Sequence, residues 1–126
     1  VIVVGAPASR IVIAGVPRAG KTTLAGPCAR HTDDLIRMEW HVVSDTVATW
    51  LDLPGPWIVE GVRAVHALRK WLAAHPEGKP CDRVVWLGTP RVPLTRGQDV
   101  LAKGCLTVWR EVRPLLLARN VQVEEP

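Results

Sequence analysis

The chain contains no phenylalanine, no tyrosine and a single methionine in 126 residues. Six tryptophans must therefore supply every large ring of the core. Cysteine is sparse too. Cys28, Cys81 and Cys105 are odd in number and far apart, with no C-x-x-C pair and no histidines at zinc-ligand spacing. This excludes a disulfide scaffold or a structural zinc site and leaves reduced, buried thiols. No apolar run approaches the ~20 residues of a membrane-spanning helix, and the start lacks the charged n-region of a secretory signal. A cytoplasmic protein with no membrane partner is expected. Blocks of like charge are also missing: the net charge of +4 and the pI near 9.4 arise from scattered residues, so nucleic acid is not favoured as a partner.

What is present is 48% apolar residues, enough for the core of one domain. Residues 1–9 loosely echo residues 11–19 but lack Gly-Lys-Thr, and residues 1–10 are expected to be an N-terminal extension. Residues 11–126 are expected to form a single nucleoside-triphosphate-binding domain. Its organising stretch is IVIAGVPRAGKTT, residues 11–23, in which Gly15 to Thr22 follow the pattern G-x-x-x-x-G-K-[ST]. An apolar run precedes it and a helix-competent segment follows it, and the pattern arises by chance in roughly 0.5% of chains this long. The spacing has a chemical reason. Glycines let the backbone wrap an anion so that successive N–H groups point inward. Gly15, Pro17, Arg18, Ala19, Gly20, Lys21, Thr22 and Thr23 are thus the expected nucleotide-binding residues, with Lys21 reaching the β- and γ-phosphates and Thr22 ligating Mg²⁺.

After this loop the chain alternates between helical and strand-like segments. A first helix over 22–30 must bend or end at Gly26-Pro27, and a brief strand is expected around Leu35. Asp33 and Asp34 are candidates for accepting a substrate-hydroxyl proton or holding a metal through water, against a solvated turn. A second helix is expected to be capped by Ser44 or Asp45 and stopped by Pro54-Gly55-Pro56. Residues 57–59 read as a buried strand ending in Glu60, whose position suits a metal contact or polarisation of an acceptor hydroxyl; Arg63 could clamp a substrate phosphate or carboxylate. The alternatives are a helix-dipole charge for Glu60 and a surface arginine for Arg63. A third helix spans 62–74, a strand 84–87, a long helix 99–118 interrupted by Pro114, and a final strand 121–124. Among Arg91, Arg96, Lys103 and Arg110, Arg96 is the leading candidate to stabilise charge during transfer. The order argues for an α/β fold with a parallel five-stranded sheet between helices, three layers in all.

Across about residues 11–124 the chain resembles the P-loop small-molecule kinases, the group holding nucleoside, nucleotide, shikimate and gluconate kinases. The resemblance rests on GVPRAGKTT, the Asp33-Asp34 pair, VEGVR at 59–63 and VVWLGTP at 84–90. It implies strand order 2-3-1-4-5, ATP with Mg²⁺, a γ-phosphoryl transfer to a small acceptor, Asp33 or Glu60 at that acceptor, and a lid before the last helix. GQDVLAKGCLTVWREV and the bias toward Ala, Arg, Val and Trp also look like short P-loop proteins of bacteriophages of high-GC bacteria. The expected ligands are ATP or another nucleoside triphosphate, Mg²⁺ and a nucleoside-like or nucleotide-like acceptor, bound by Asp33, Asp34 and Arg63. The alternative is an NTPase or nucleotide-binding switch acting with a protein or nucleic-acid partner. Motor ATPases, however, usually carry Asp-Glu where this chain has Glu60-Gly61. Oligomeric state is left open.

Overall fold

The structure, a computed structural model, describes residues 9–35 and 39–126. The expected extension lies outside the described residues except for Ser9 and Arg10, and Arg10 opens the first strand. In chain order the elements are β1 (Arg10–Gly15), α1 (Lys21–Ala25), β2 (Arg30–His31), a 3₁₀ turn (Thr32–Leu35), α2 (Trp40–Trp50), β3 (Trp57–Glu60), α3 (Ala64–Ala74), β4 (Arg83–Leu87), α4 (Arg96–Ala118) and β5 (Gln122–Glu124). The five strands make one parallel sheet in the order β2-β3-β1-β4-β5. The α/β class and the strand order thus agree with expectation.

Alternation along β1 divides the apolar residues between the two faces. Val12 and Ala14 join Val84 and Trp86 in a large core with Val65, Leu68 and Leu72 of α3 and Val108, Val112 and Leu116 of α4. Ile11 and Ile13 join Val85 on the opposite face, where Ala25 of α1 and Ala29 cover them. Val59 of β3 packs with Val43 and Val47 of α2 and Ala67 of α3. The helices are therefore shared unequally between the faces. Tryptophans take on the work of the missing rings: Trp86 and Trp109 stack at 4.8 Å between centroids, and Trp71, stacked on His75, donates its indole N–H to Asp52 at 2.8 Å.

Several boundaries differ from the sequence-based expectation. Helix α1 ends at Ala25 because Gly26 takes a left-handed φ of 82° and Pro27 cannot continue the ladder. The strand expected around Leu35 is instead Arg30–His31; the polar Thr-Asp-Asp sequence turns the chain before Leu35, and residues 36–38 lie outside those described. Helix α2 begins at Trp40, so Ser44 is a buried interior residue and not a cap. Helix α4 starts three residues early, at a capping box in which Gln98 N–H donates to Thr95 Oγ1 (3.2 Å) and Thr95 N–H to Gln98 Oε1 (3.0 Å). It also runs through Pro114 without a break. Pro114 is on the exposed side, where the carbonyl it leaves unpaired can be hydrated. Val100 and Leu101 of α4, though apolar, are exposed.

Burial pushes the Cys81 thiol up to about 12 and that of Cys105 up to about 11, so neither is a thiolate at neutral pH. Among the described residues no helix is long and apolar enough to cross a membrane.

Two measurements check this packing. Leu68→Ala should cost about 2–5 kcal/mol in urea denaturation, because Leu68 is fully buried, whereas exposed Leu115→Ala should stay within about 0.5 kcal/mol. Burial lowers His66 to about 4, with Arg69 and Arg63 adding to the depression. Between its ordinary 6.5 and about 4 the folded protein binds fewer protons at His66 than the unfolded chain. That contribution to stability is complete above pH 6.5 and is lost as pH falls to about 4. The melting midpoint of His66→Gln should accordingly fall less steeply across this window than that of the wild type; parallel curves would contradict the assignment.

Candidate functional site

The loop between β1 and α1 leaves the sheet at its carboxyl edge, where a parallel α/β sheet places ligands. Its exit is pinned from below. A Cβ on Gly15 would stand 2.2 Å from the Leu87 carbonyl oxygen, the same oxygen that accepts the Val16 N–H at 3.1 Å. Only glycine allows β1 and β4 to approach so closely at this point. The chain then turns through left-handed Arg18 (φ 62°) and Gly20 (φ 90°) into α1. Among the described residues, the N–H groups of Arg18 and Gly20 have no backbone acceptor, although both border a concave surface. Unused donors curled around a hollow suit an anion.

That hollow is a cleft of about 390 Å³ lined by residues 17–22 together with Asp33, Glu60, Val62, Gln98 and Leu101. It falls within the size range of small-molecule sites. Lys21 is 6% exposed and donates from Nζ to the Val16 carbonyl at 2.5 Å. Burial lowers its pKa, while Glu60, Cys105 and Asp33 act in the opposite direction. A bound anion would offset the same desolvation.

Glu60 terminates β3 and is 1% exposed. Its Oε1 accepts the Thr22 hydroxyl at 3.2 Å and also meets Nδ1 of His31. A hydroxyl whose proton goes to a carboxylate keeps its lone pairs for a cation, so Thr22 fits the role of a Mg²⁺ ligand. Both contacts fall on the same Glu60 oxygen, which leaves Oε2 for any cation contact, direct or through water.

The remaining expected residues are distributed unevenly. Asp33, in the 3₁₀ turn, is exposed at the cleft wall; Asp34 is exposed outside the lining. Thr23 is exposed on α1 and does not line the cleft. Arg63 stands half-buried at the start of α3, outside the lining; burial lowers its pKa, opposed by Asp33 and Cys105. Arg96 lies in an adjoining open hollow formed by residues 90–96 and Asp99. Arg91, not Arg96, meets the loop between β1 and α1. Its N–H donates to the Arg18 carbonyl at 2.8 Å, and its guanidinium fills the space 2.5–2.7 Å from where a Gly20 Cβ would be.

Sequence reasoning missed two features here. His31 becomes a neighbour of Glu60 only through parallel pairing of β2 with β3. The Thr95-x-x-Gln98 capping signal was visible, and it would have started α4 at Arg96 and left Arg91 in the loop beside the cleft. The chain matches no protein-family model, and no curated protein matches it.

The Glu60 arrangement has a measurable energetic consequence. Glu60→Ala would leave the half-buried His31 imidazole and the Thr22 hydroxyl without their acceptor, and should lower stability by about 1–3 kcal/mol in denaturant titration. A neutral effect would mean that the carboxylate is not the partner of His31 and Thr22.

Proposed function

We propose that the protein is a Mg²⁺-dependent phosphotransferase. It moves the γ-phosphoryl group of ATP, or of another nucleoside triphosphate, to a small hydroxylated or phosphorylated acceptor, nucleoside-like or nucleotide-like. The observation that carries this reading is the convergence on one cleft of the glycine loop, Lys21, the Thr22–Glu60 pair and Asp33.

Each group has a role that follows from its chemistry. The loop N–H groups and Lys21 neutralise the β- and γ-phosphate oxygens, and Arg91 adds a guanidinium beside Gly20 that can follow charge as it moves to the leaving oxygen. Mg²⁺, when bound, would supply a Lewis acid that draws off negative charge developing on the phosphates. Thr22 and Glu60 would hold it, Thr22 directly and Glu60 from behind. Asp33 is exposed at the cleft wall, where an acceptor can reach it. It takes the hydroxyl proton as the acceptor oxygen bonds to the γ-phosphorus, and the bond to the β-phosphate oxygen breaks to release the nucleoside diphosphate. Gln98 and Leu101 at the start of α4 supply one polar and one apolar wall for the acceptor.

ATP consumption measured with and without a panel of nucleosides and nucleoside monophosphates tests the reading. Acceptor-dependent turnover is expected. Acceptor-independent hydrolysis would make the protein an NTPase, and binding without turnover a nucleotide-binding scaffold. Lys21→Ala should abolish most ATP affinity in calorimetry, and unchanged affinity would sink the phosphate-loop reading. Asp33→Asn should leave that affinity near the wild-type value and lower transfer by roughly 10²–10⁴-fold.

A further inference from the structure

The buried carboxylate of Glu60 receives two donors on one oxygen, one from the phosphate loop and one from a strand at the sheet edge. An ionised carboxylate offers no proton, so the hydrogens in these contacts belong to the Thr22 hydroxyl and to Nδ1 of His31. The second contact is built into the backbone. His31 is the last residue of β2 and pairs in register with Glu60, the last residue of β3. One residue further on, a Cβ at Gly61 would stand 1.7 Å from Thr32 Oγ1, so the two strand ends are closer than any side chain at Gly61 would permit. Lys21 is the competing attraction, since its ammonium and the Glu60 carboxylate interact through charge. A carboxylate free to turn toward Lys21 would leave the Thr22 hydroxyl without a fixed acceptor.

We propose that His31 is a positioning residue: its Nδ1–H fixes the Glu60 carboxylate so that Glu60 accepts the Thr22 hydroxyl hydrogen bond and the Thr22 oxygen is held ready for the divalent cation that accompanies a nucleotide. The inference rests on the nucleotide reading of the cleft and extends it to a residue outside the phosphate loop. It makes His31 responsible for the metal-dependent share of nucleotide binding and not for the share that the loop and Lys21 provide.

The test is calorimetric ATP affinity in excess Mg²⁺ and in EDTA, for the wild type, His31→Leu and His31→Asn. Leucine keeps bulk without a donor, whereas asparagine places an amide N–H near the position of Nδ1. His31→Leu should lower the Mg²⁺-dependent gain in affinity about tenfold or more and hold affinity in EDTA within about twofold, and His31→Asn should recover most of that gain. In a Thr22→Ala background, His31→Leu should change nothing further. A full Mg²⁺ gain in His31→Leu, an equal loss in EDTA, no rescue by asparagine, or additive losses with Thr22→Ala would each overturn the proposal. On the unmutated protein, ¹⁵N-histidine NMR should find Nδ1 of His31 protonated, and an unprotonated Nδ1 would overturn it without any variant. A wild type that binds no ATP in either condition would overturn the phosphate-site reading and this proposal together. A wild type with Mg²⁺-enhanced binding and an unaffected His31→Leu would overturn this proposal alone.

Discussion

A carboxylate taken out of water must be met by donors, and Glu60 is the point at which this chain meets that requirement. Its two partners come from different elements, Thr22 from the first turn of α1 and His31 from the edge strand β2. Satisfying one side chain therefore links the start of α1, the interior strand β3 and the edge strand β2. Lys21, itself buried, adds the opposing charge. The cleft thus contains a cation, a carboxylate and a hydroxyl whose positions depend on one another. This kind of preorganisation is what charge-shifting chemistry uses.

The rest of the fold serves to hold that edge in place. The β1–β4 approach at Gly15 and Leu87 sets where the loop leaves the sheet, and the β2–β3 approach at Gly61 and Thr32 sets where the acidic turn meets it. The core behind the sheet is formed mainly by α3 and α4, with Trp86 on Trp109 taking the volume that phenylalanine and tyrosine would normally fill. Arg119 closes the end of α3 by donating to the carbonyls of His75 (2.6 Å) and Gly78 (3.2 Å), which ties the end of α4 to the turn after α3.

The parts legible in the sequence were those carried by contiguous residues. The motif at 15–22 needs no partner from elsewhere in the chain to be recognised, and Glu60 declared itself as an acid at the tip of an apolar run. The parallel sheet followed from the alternation of segments. What escaped was set by tertiary pairing. His31 and Glu60 are 29 residues apart, and only the β2–β3 register brings them together. Asp33 and Asp34 are neighbours of equal chemistry, and only the sense of the 3₁₀ turn puts one at the cleft and the other outside it. Arg96 was preferred to Arg91 on sequence, but the capping box at Thr95 fixes the start of α4 at Arg96 and leaves Arg91 hydrogen-bonded to the loop. The start of α2 was misplaced because Ser44, a good cap by residue type, is buried within the helix.

Amide hydrogen exchange with and without Mg²⁺-ATP tests the central claim most directly, because it reads the N–H groups that the loop is said to offer. Slowed exchange over residues 16–23 and at Arg91, with little change in the solvent-facing half of α4, is the result expected of a phosphate-binding loop at this sheet edge. Unchanged exchange across the loop at saturating nucleotide, or protection confined to another part of the molecule, would contradict it.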